Sequence, residues 1–230
     1  MLTRFFSHSK PIAYAIVILV FTIAFVIENF FSNSAEVNTA FTFKKLLTFI
    51  IFLLIIFLLN FILQRNKIHN SNTYAISSLT LLLIAFPEVL RSYDFAFGYF
   101  FLLLAVRRIL SLKNNTAVKQ KLFDAGFLLS ISMLFEPVHV LFLAFFFLGV
   151  MMYVAYNFRH FIIPFVAVLI GYFMFTSFSF IVYDEWLSLQ DFLPRYEGFY
   201  LTVNQFKYKV LMGFIAFLIL WVILQLTSIF

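Results

Sequence analysis

Ionisable side chains recur where the apolar stretches of this sequence are interrupted. Glu88, Arg91 and Asp94 surround one interruption, and Glu136 with His139 surrounds a second. Carboxylates and an imidazole that lie close together can bind a cation, position a polar substrate or act as a general base. The pattern therefore predicts a substrate or ion cavity formed by these side chains. A second interpretation is that they only cap turns between helices, where water and lipid headgroups solvate them.

If the chain is an enzyme, the candidates for acid–base catalysis are Glu28, Glu36, Glu88, Glu136 and His139. Glu136 ends an apolar stretch that we predict to start at Leu122, which is about 22 Å long at 1.5 Å per residue. The hydrocarbon core of a bilayer is about 30 Å thick. We therefore expect Glu136 and His139 to lie below the headgroups, where ionisable groups are costly and commonly functional.

No complete catalytic or cofactor-binding motif occurs in the chain. The sequence contains no P-loop, no Rossmann glycine run, no HExxH and no GxSxG. It also contains no cysteine, which excludes disulfides, thiolate metal sites and cysteine nucleophiles. We predict no cofactor and no metal, and the sequence leaves open whether the protein is an enzyme.

Positive charges concentrate in one short segment, which contains Arg107, Arg108, Lys113, Lys119 and Lys121. Such a cluster attracts anionic lipid headgroups, so we predict that these side chains contact membrane lipids. The alternative is that they only retain this segment in the cytoplasm. No basic, aromatic-rich domain accompanies them, so we predict no nucleic-acid partner.

The composition requires a bilayer as the solvent for most of the chain. Hydrophobic residues make up 64% of the sequence and charged residues 11%, whereas charged residues make up about 25% of soluble domains. So few charges cannot cover a water-soluble globule, which excludes a soluble enzyme. We predict an all-α fold, a polytopic transmembrane bundle of about eight helices that includes two Pro-Glu hinged hairpins.

The prediction treats residues 1–230 as a single membrane domain. The predicted helices lie at about 11–31, 43–63, 73–90, 95–110, 122–136, 138–156, 161–183 and 208–230, with an external amphipathic loop at 184–207. Lys and Arg of short loops stay in the cytoplasm. With both termini cytoplasmic, Asp124 is the one acidic residue that falls inside.

Short segments of the chain resemble an uncharacterised family of polytopic bacterial inner-membrane proteins. They are Arg65–Tyr74, Arg107–Leu112 and Lys121–Gly126. This resemblance implies the bacterial inner membrane and brings no known activity. The run from Asp124 to Glu136-Pro137 is also similar to helices of polyprenyl-phosphate-dependent membrane glycosyltransferases. Those enzymes carry their catalytic acid in a long first outer loop, whereas that loop here is about residues 32–42 and contains Glu36 alone.

Three functions follow from these observations. The leading hypothesis is a non-enzymatic or accessory component of envelope assembly that works with another membrane or envelope protein, because no catalytic set is complete. The alternative is a glycosyltransferase-like enzyme with an outward-facing acidic site. The third is a transporter, which normally needs ionisable groups near the midplane of the membrane.

Overall fold

The structure is a computed structural model that describes residues 11–31, 39–66, 73–114, 116–153 and 158–184. Contacts divide the chain into two compact units, 1–194 and 195–230. Every described residue belongs to the first unit. The predicted helix at 208–230, the predicted loop beyond Asp184 and the candidate Glu36 therefore lie outside the described residues.

The described residues form α-helices and short helical turns, with no strand among them. The helices are α1 Pro11–Val26, α2 Thr39–Arg65, α3 Tyr74–Ala85, α4 Pro87–Arg91, α5 Tyr93–Leu110, α6 Val118–Phe135, α7 Phe142–Tyr153 and α8 Phe158–Tyr183. A π-helical turn, Ile27–Phe31, extends α1, and 3₁₀ turns lie at Ser111–Asn114 and Pro137–Leu141. The predicted all-α helix bundle is confirmed.

Both predicted hinges break a helix at the residue before a proline. Phe86 separates α3 from α4 with φ −121° and ψ 75°, and Glu136 follows α6 with φ −136° and ψ 95°. Clash with the proline ring drives the preceding residue out of the α-helical region. The stretch predicted as one helix at 73–90 is therefore divided at Phe86.

α6 begins at Val118, about one turn before the predicted start at Leu122. The turn before it places Ala117 in the left-handed region, with φ 50°, and the carbonyl of Ala117 accepts a hydrogen bond from the Lys121 N–H at 3.1 Å. The 18 residues of α6 rise by about 27 Å. This length is still shorter than the hydrocarbon core of about 30 Å, so the depth of Glu136 and His139 in the membrane stays a prediction.

Successive helices alternate in direction between two ends of the bundle. Glu28 forms an ion pair with Arg91, so the end of α1 lies beside the end of α4. At the opposite end, the guanidinium carbons of Arg65 and Arg107 lie 5.7 and 5.0 Å from the centroid of the Phe61 ring. The acidic end is defined by Glu28, Arg91, Asp94 and Glu136, and the basic end by Arg65, Arg107, Arg108 and Asp124.

α1 and α8 both run from the basic end to the acidic end. The Tyr14 hydroxyl, near the start of α1, donates a hydrogen bond to Asn60 Oδ1, near the end of α2, at 3.3 Å. α8 runs parallel to α6, because Gly126 lies against Pro164 and, further along both helices, Ser130 lies against Gly171. A Cβ at Gly126 would lie 2.5 Å from the Pro164 carbonyl oxygen, so only glycine permits this approach of the two backbones.

Four described segments are long and apolar enough to cross a membrane: Ile12–Asn29, Phe43–Arg65, Tyr93–Asn114 and His160–Val182. The segments Tyr74–Ala85 and Pro137–Tyr153 are apolar but shorter, and α6 carries Lys119, Lys121 and Asp124. The exposed apolar side chains of α2 form one stripe: Phe43, Leu46, Ile50, Leu54, Phe57 and Phe61. This spacing marks one face of a helix, and a bilayer solvates it. The chain is a membrane protein, and about eight crossings stay a prediction.

Candidate functional site

α5 and the break after α6 meet at Gly98. A Cβ at Gly98 would lie 3.1 Å from His139 Cε1 and 3.2 Å from Glu136 Cγ, so both residues approach the backbone of α5 because no side chain stands there. His139 is 1% exposed. The Tyr99 ring meets the His139 ring edge-on, with the centroids 5.0 Å apart.

Ser132 joins His139 to the backbone of α5 through two buried hydrogen bonds. The Ser132 hydroxyl donates to the Gly98 carbonyl at 2.7 Å, and its oxygen lies 2.6 Å from His139 Nδ1. A serine hydroxyl has one hydrogen, so the second bond requires a proton on Nδ1. His139 Nε2 is then an acceptor, and this buried atom has no hydrogen-bond partner among the described residues. A neutral imidazole with a free ring nitrogen can accept a proton or a hydrogen bond from a ligand.

The Glu136 carboxyl lies in the break between α6 and the following 3₁₀ turn. Its burial, and secondly the nearby carboxylate of Asp94, raise the pKa of Glu136 above its usual range. A carboxyl with a raised pKa can retain a proton at higher pH and can therefore serve as a general acid or base. Among the described residues, no group of three or more His, Cys, Asp or Glu side chains could hold a metal ion.

A second polar group at the acidic end joins α1, α2 and α4. Glu28 pairs with Arg91, and Lys45 Nζ donates to the Asn29 carbonyl. Asn29 is 4% exposed, and its side-chain amide donates to the carbonyls of Phe25 at 3.2 Å and Leu90 at 3.3 Å. The π-helical turn at Ile27–Phe31 places Glu28 and Asn29 in these contacts. Except for the bond to Phe25, these bonds connect helices to one another.

The residues of the predicted cavity contact partners on more than one helix. Glu136 and His139 lie against α5 at Gly98, about one turn after Asp94 in the same helix. Arg91 pairs with Glu28, and Glu88 lies in the first turn of α4. Of the predicted catalytic candidates, the structure therefore brings Glu136 and His139 together.

Sequence reasoning missed Ser132, Asn29 and Lys45. Lys45 carried a usable signal, because a charge inside an apolar helical stretch normally requires a polar partner. Ser132 carried none, since a serine in an apolar helix normally bonds to its own backbone. Only the packing of α6 on α5 shows that its hydroxyl reaches Gly98 and His139.

At the basic end, several of the predicted lipid-contacting cations are engaged within the protein. Arg108 pairs with Asp124 at 3.3 Å. Lys121 Nζ donates to the Ser111 carbonyl at 2.7 Å and to Thr116 Oγ1 at 3.2 Å. Lys113 and Lys119 are exposed. Lys119 also lines an open pocket of about 440 Å³ at the start of α6, together with His160.

The hydroxyl groups inside the helices bond mainly to their own backbone. Thr80 Oγ1 donates to the Ile76 carbonyl at 2.9 Å, and Ser130 Oγ donates to the Phe127 carbonyl at 2.7 Å. The same pattern holds for Ser77, Ser78 and Ser177. These bonds satisfy the hydroxyls locally. They give no support to a polar path of the kind that a transporter needs.

Comparison with known proteins identifies no relative of this chain: no family model, no curated protein and no solved structure matches it.

Proposed function

We propose that this chain is a multi-pass protein of the bacterial inner membrane that serves envelope assembly as a non-enzymatic or accessory component, together with another membrane or envelope protein. We propose the bacterial inner membrane because three segments resemble proteins of that membrane: Arg65–Tyr74, Arg107–Leu112 and Lys121–Gly126. The four apolar segments of spanning length support the membrane part of this proposal.

One observation carries the non-enzymatic part of the proposal: charged groups at the acidic end are used to join helices. The Glu28–Arg91 ion pair joins α1 to α4, and Lys45 joins α2 to the turn that contains Asn29. Paired charges and satisfied hydrogen bonds rigidify a buried region and specify how its helices pack. Glu28, one of the catalytic candidates, is therefore explained by architecture.

The distribution of charge supports the proposed orientation, with both termini cytoplasmic and the acidic end outside. Arg65, Arg107 and Arg108 lie at the basic end, where Asp124 is neutralised by Arg108. Lys and Arg determine sidedness, and Asp and Glu contribute little. The basic end therefore faces the cytoplasm in this proposal.

Exchanging the charges of Glu28 and Arg91 tests whether Glu28 has a structural or a catalytic role. Glu28→Arg and Arg91→Glu alone each place like charges together, so we expect less folded protein in the membrane. The double exchange restores an ion pair, and we expect it to restore both the protein level and the envelope phenotype of a deletion strain. A double variant that folds to wild-type level but stays inactive would show that the Glu28 carboxylate itself is required.

The partner is tested with the full chain at its native expression level. After cross-linking in intact cells and purification in mild detergent, we expect one protein in a constant molar ratio to the chain. An unrelated multi-pass protein carrying the same tag is the control. Full activity of the isolated chain in a defined enzymatic assay would refute the accessory role.

The grouping of Asp94, Glu136 and His139 favours a second candidate, a polyprenyl-phosphate-dependent glycosyltransferase-like enzyme. In that case Glu136 or His139 takes a proton from the acceptor hydroxyl, whose oxygen bonds to C1 of the sugar while the bond from C1 to polyprenyl phosphate breaks and polyprenyl phosphate leaves. Glu136→Gln then lowers sugar transfer about 10²- to 10⁴-fold. Asp124→Asn is the control, because it removes an acid at the opposite end of the bundle. Wild-type function in His139→Gln and in the Gln variants of Glu28, Glu36, Glu88 and Glu136 would exclude this candidate.

A further inference from the structure

Two arginines converge on one aromatic ring at the basic end. The guanidinium carbons of Arg65 and Arg107 lie 5.7 and 5.0 Å from the centroid of the Phe61 ring. Arg65 is the last residue of α2, and Arg107 lies in the last turn of α5. Within the described part of the chain, neither guanidinium forms an ion pair with a carboxylate. Their two positive charges are therefore available to an anion.

The ring that carries these charges also ends the lipid-facing stripe of α2. Phe61 is 41% exposed, and the stripe continues from it through Phe57 and Leu54 to Ile50. In a bilayer this stripe faces acyl chains. Its end at Phe61 is followed by Gln64 and Arg65, so the apolar surface gives way to polar groups within one helical turn.

We propose that Arg65 and Arg107 together bind the phosphate of one anionic phospholipid, whose acyl chains lie along the exposed stripe of α2. A guanidinium presents a planar fork of N–H donors that matches phosphate oxygens, and the aromatic face positions it. The positive charge favours an anionic headgroup over a zwitterionic one. The apolar stripe distinguishes a phospholipid from a soluble phosphate, which could contact only the arginines.

This site differs from the basic segment predicted from the sequence, because Arg65 is about forty residues away from that segment and Arg108 does not belong to the site. Arg108 pairs with Asp124, although it is the neighbour of Arg107 and has the same charge. The proposal depends on membrane embedding alone and holds whether or not the protein is an enzyme.

The test measures lipid binding to the full chain in detergent by native mass spectrometry, with dioctanoyl phosphatidylglycerol and dioctanoyl phosphatidylcholine as probes. We expect Arg65→Gln and Arg107→Gln each to weaken phosphatidylglycerol binding about tenfold, the loss of one charge-assisted interaction. Phosphatidylcholine binding should stay unchanged. Arg108→Gln, which makes the same change in net charge, should stay within about twofold for both lipids.

The aromatic part of the site has its own control. Phe61→Leu keeps an apolar side chain but removes the ring, so it should weaken phosphatidylglycerol binding severalfold, whereas Phe57→Leu should not. If a glutamine variant does not fold, Arg107→Lys retains the charge without the fork and should still weaken binding.

Two results would overturn the proposal. Equal losses in the Arg107 and Arg108 variants would mean that only overall charge attracts the lipid. Binding of glycerol 3-phosphate as tight as that of phosphatidylglycerol, and equally sensitive to Arg65→Gln, would mean that the site takes a soluble phosphate.

Discussion

Replacing Ser132 with alanine tests the hydrogen-bonded chain from Gly98 to His139. The hydroxyl makes bonds of 2.7 Å to the Gly98 carbonyl and 2.6 Å to His139 Nδ1. Removal of the hydroxyl leaves the Nδ1 proton of His139 without a hydrogen-bond acceptor, and the His139 side chain is only 1% exposed. A buried donor that loses its partner costs about 1–3 kcal/mol. We expect Ser132→Ala to lower the free energy of unfolding by about that amount.

The assay is equilibrium unfolding of the full chain in mixed micelles with increasing SDS, followed by far-UV circular dichroism. Ser78→Ala is the matched control, because the Ser78 hydroxyl is exposed and donates to the Ala75 carbonyl of its own helix at 2.9 Å. Its effect should stay within about 0.5 kcal/mol. In a double-mutant cycle with His139→Leu, the two losses should be non-additive by about 1 kcal/mol. Additive losses of stability in the cycle, or equal effects of Ser132→Ala and Ser78→Ala, would refute the hydrogen bond between Ser132 and His139.

Two further predictions use the same assay. Gly126→Ala should destabilise the protein by about 1–3 kcal/mol, because the new Cβ would lie 2.5 Å from the Pro164 carbonyl oxygen and would separate α6 from α8. Gly171→Ala should also destabilise the protein, since its Cβ would lie 2.6 Å from Ser130 Cβ, which can move only with the backbone of α6; wild-type stability of either variant would contradict this packing. Burial and then Asp94 raise the pKa of Glu136, so its contribution to stability is complete at low pH and is lost as the pH rises through the raised pKa. As the pH rises from acidic to neutral, the free energy of unfolding of Glu136→Gln should therefore increase relative to that of the wild type. A difference between the two proteins that does not change with pH would contradict the raised pKa.

The fold could be predicted from the sequence because its main determinants are local. Apolar runs of spanning length specify helices in a bilayer, where each helix must satisfy its own backbone. Pro87 and Pro137 specify where helices break, since the constraint on the preceding residue acts between neighbours. The start of α6 was harder to predict, because Lys119 and Lys121 interrupt the apolar pattern inside the helix and hide its first turn.

The contacts of the site could not be predicted, because they depend on how helices pack. The spacing of Glu88, Arg91 and Asp94 suggests one group, yet Arg91 pairs with Glu28 and Asp94 lies near Glu136. These partners come from different helices, and periodicity within one helix carries no information about its neighbours. The same is true of Gly98, because its role depends on the close approach of Glu136 and His139, which only the structure shows.

The orientation of the bundle makes a final prediction, which uses the absence of cysteine from the chain. Glu88 is exposed in α4 at the acidic end, outside the apolar segments, and Asn114 is exposed beside Lys113 at the basic end. Because the arginines of the basic end should be retained in the cytoplasm, a membrane-impermeant thiol reagent should label Glu88→Cys in right-side-out vesicles. Asn114→Cys should be labelled only after the membrane is opened. Labelling of Asn114→Cys in sealed vesicles would invert the orientation, and equal labelling of both variants would contradict the placement of the two ends on opposite sides of the membrane.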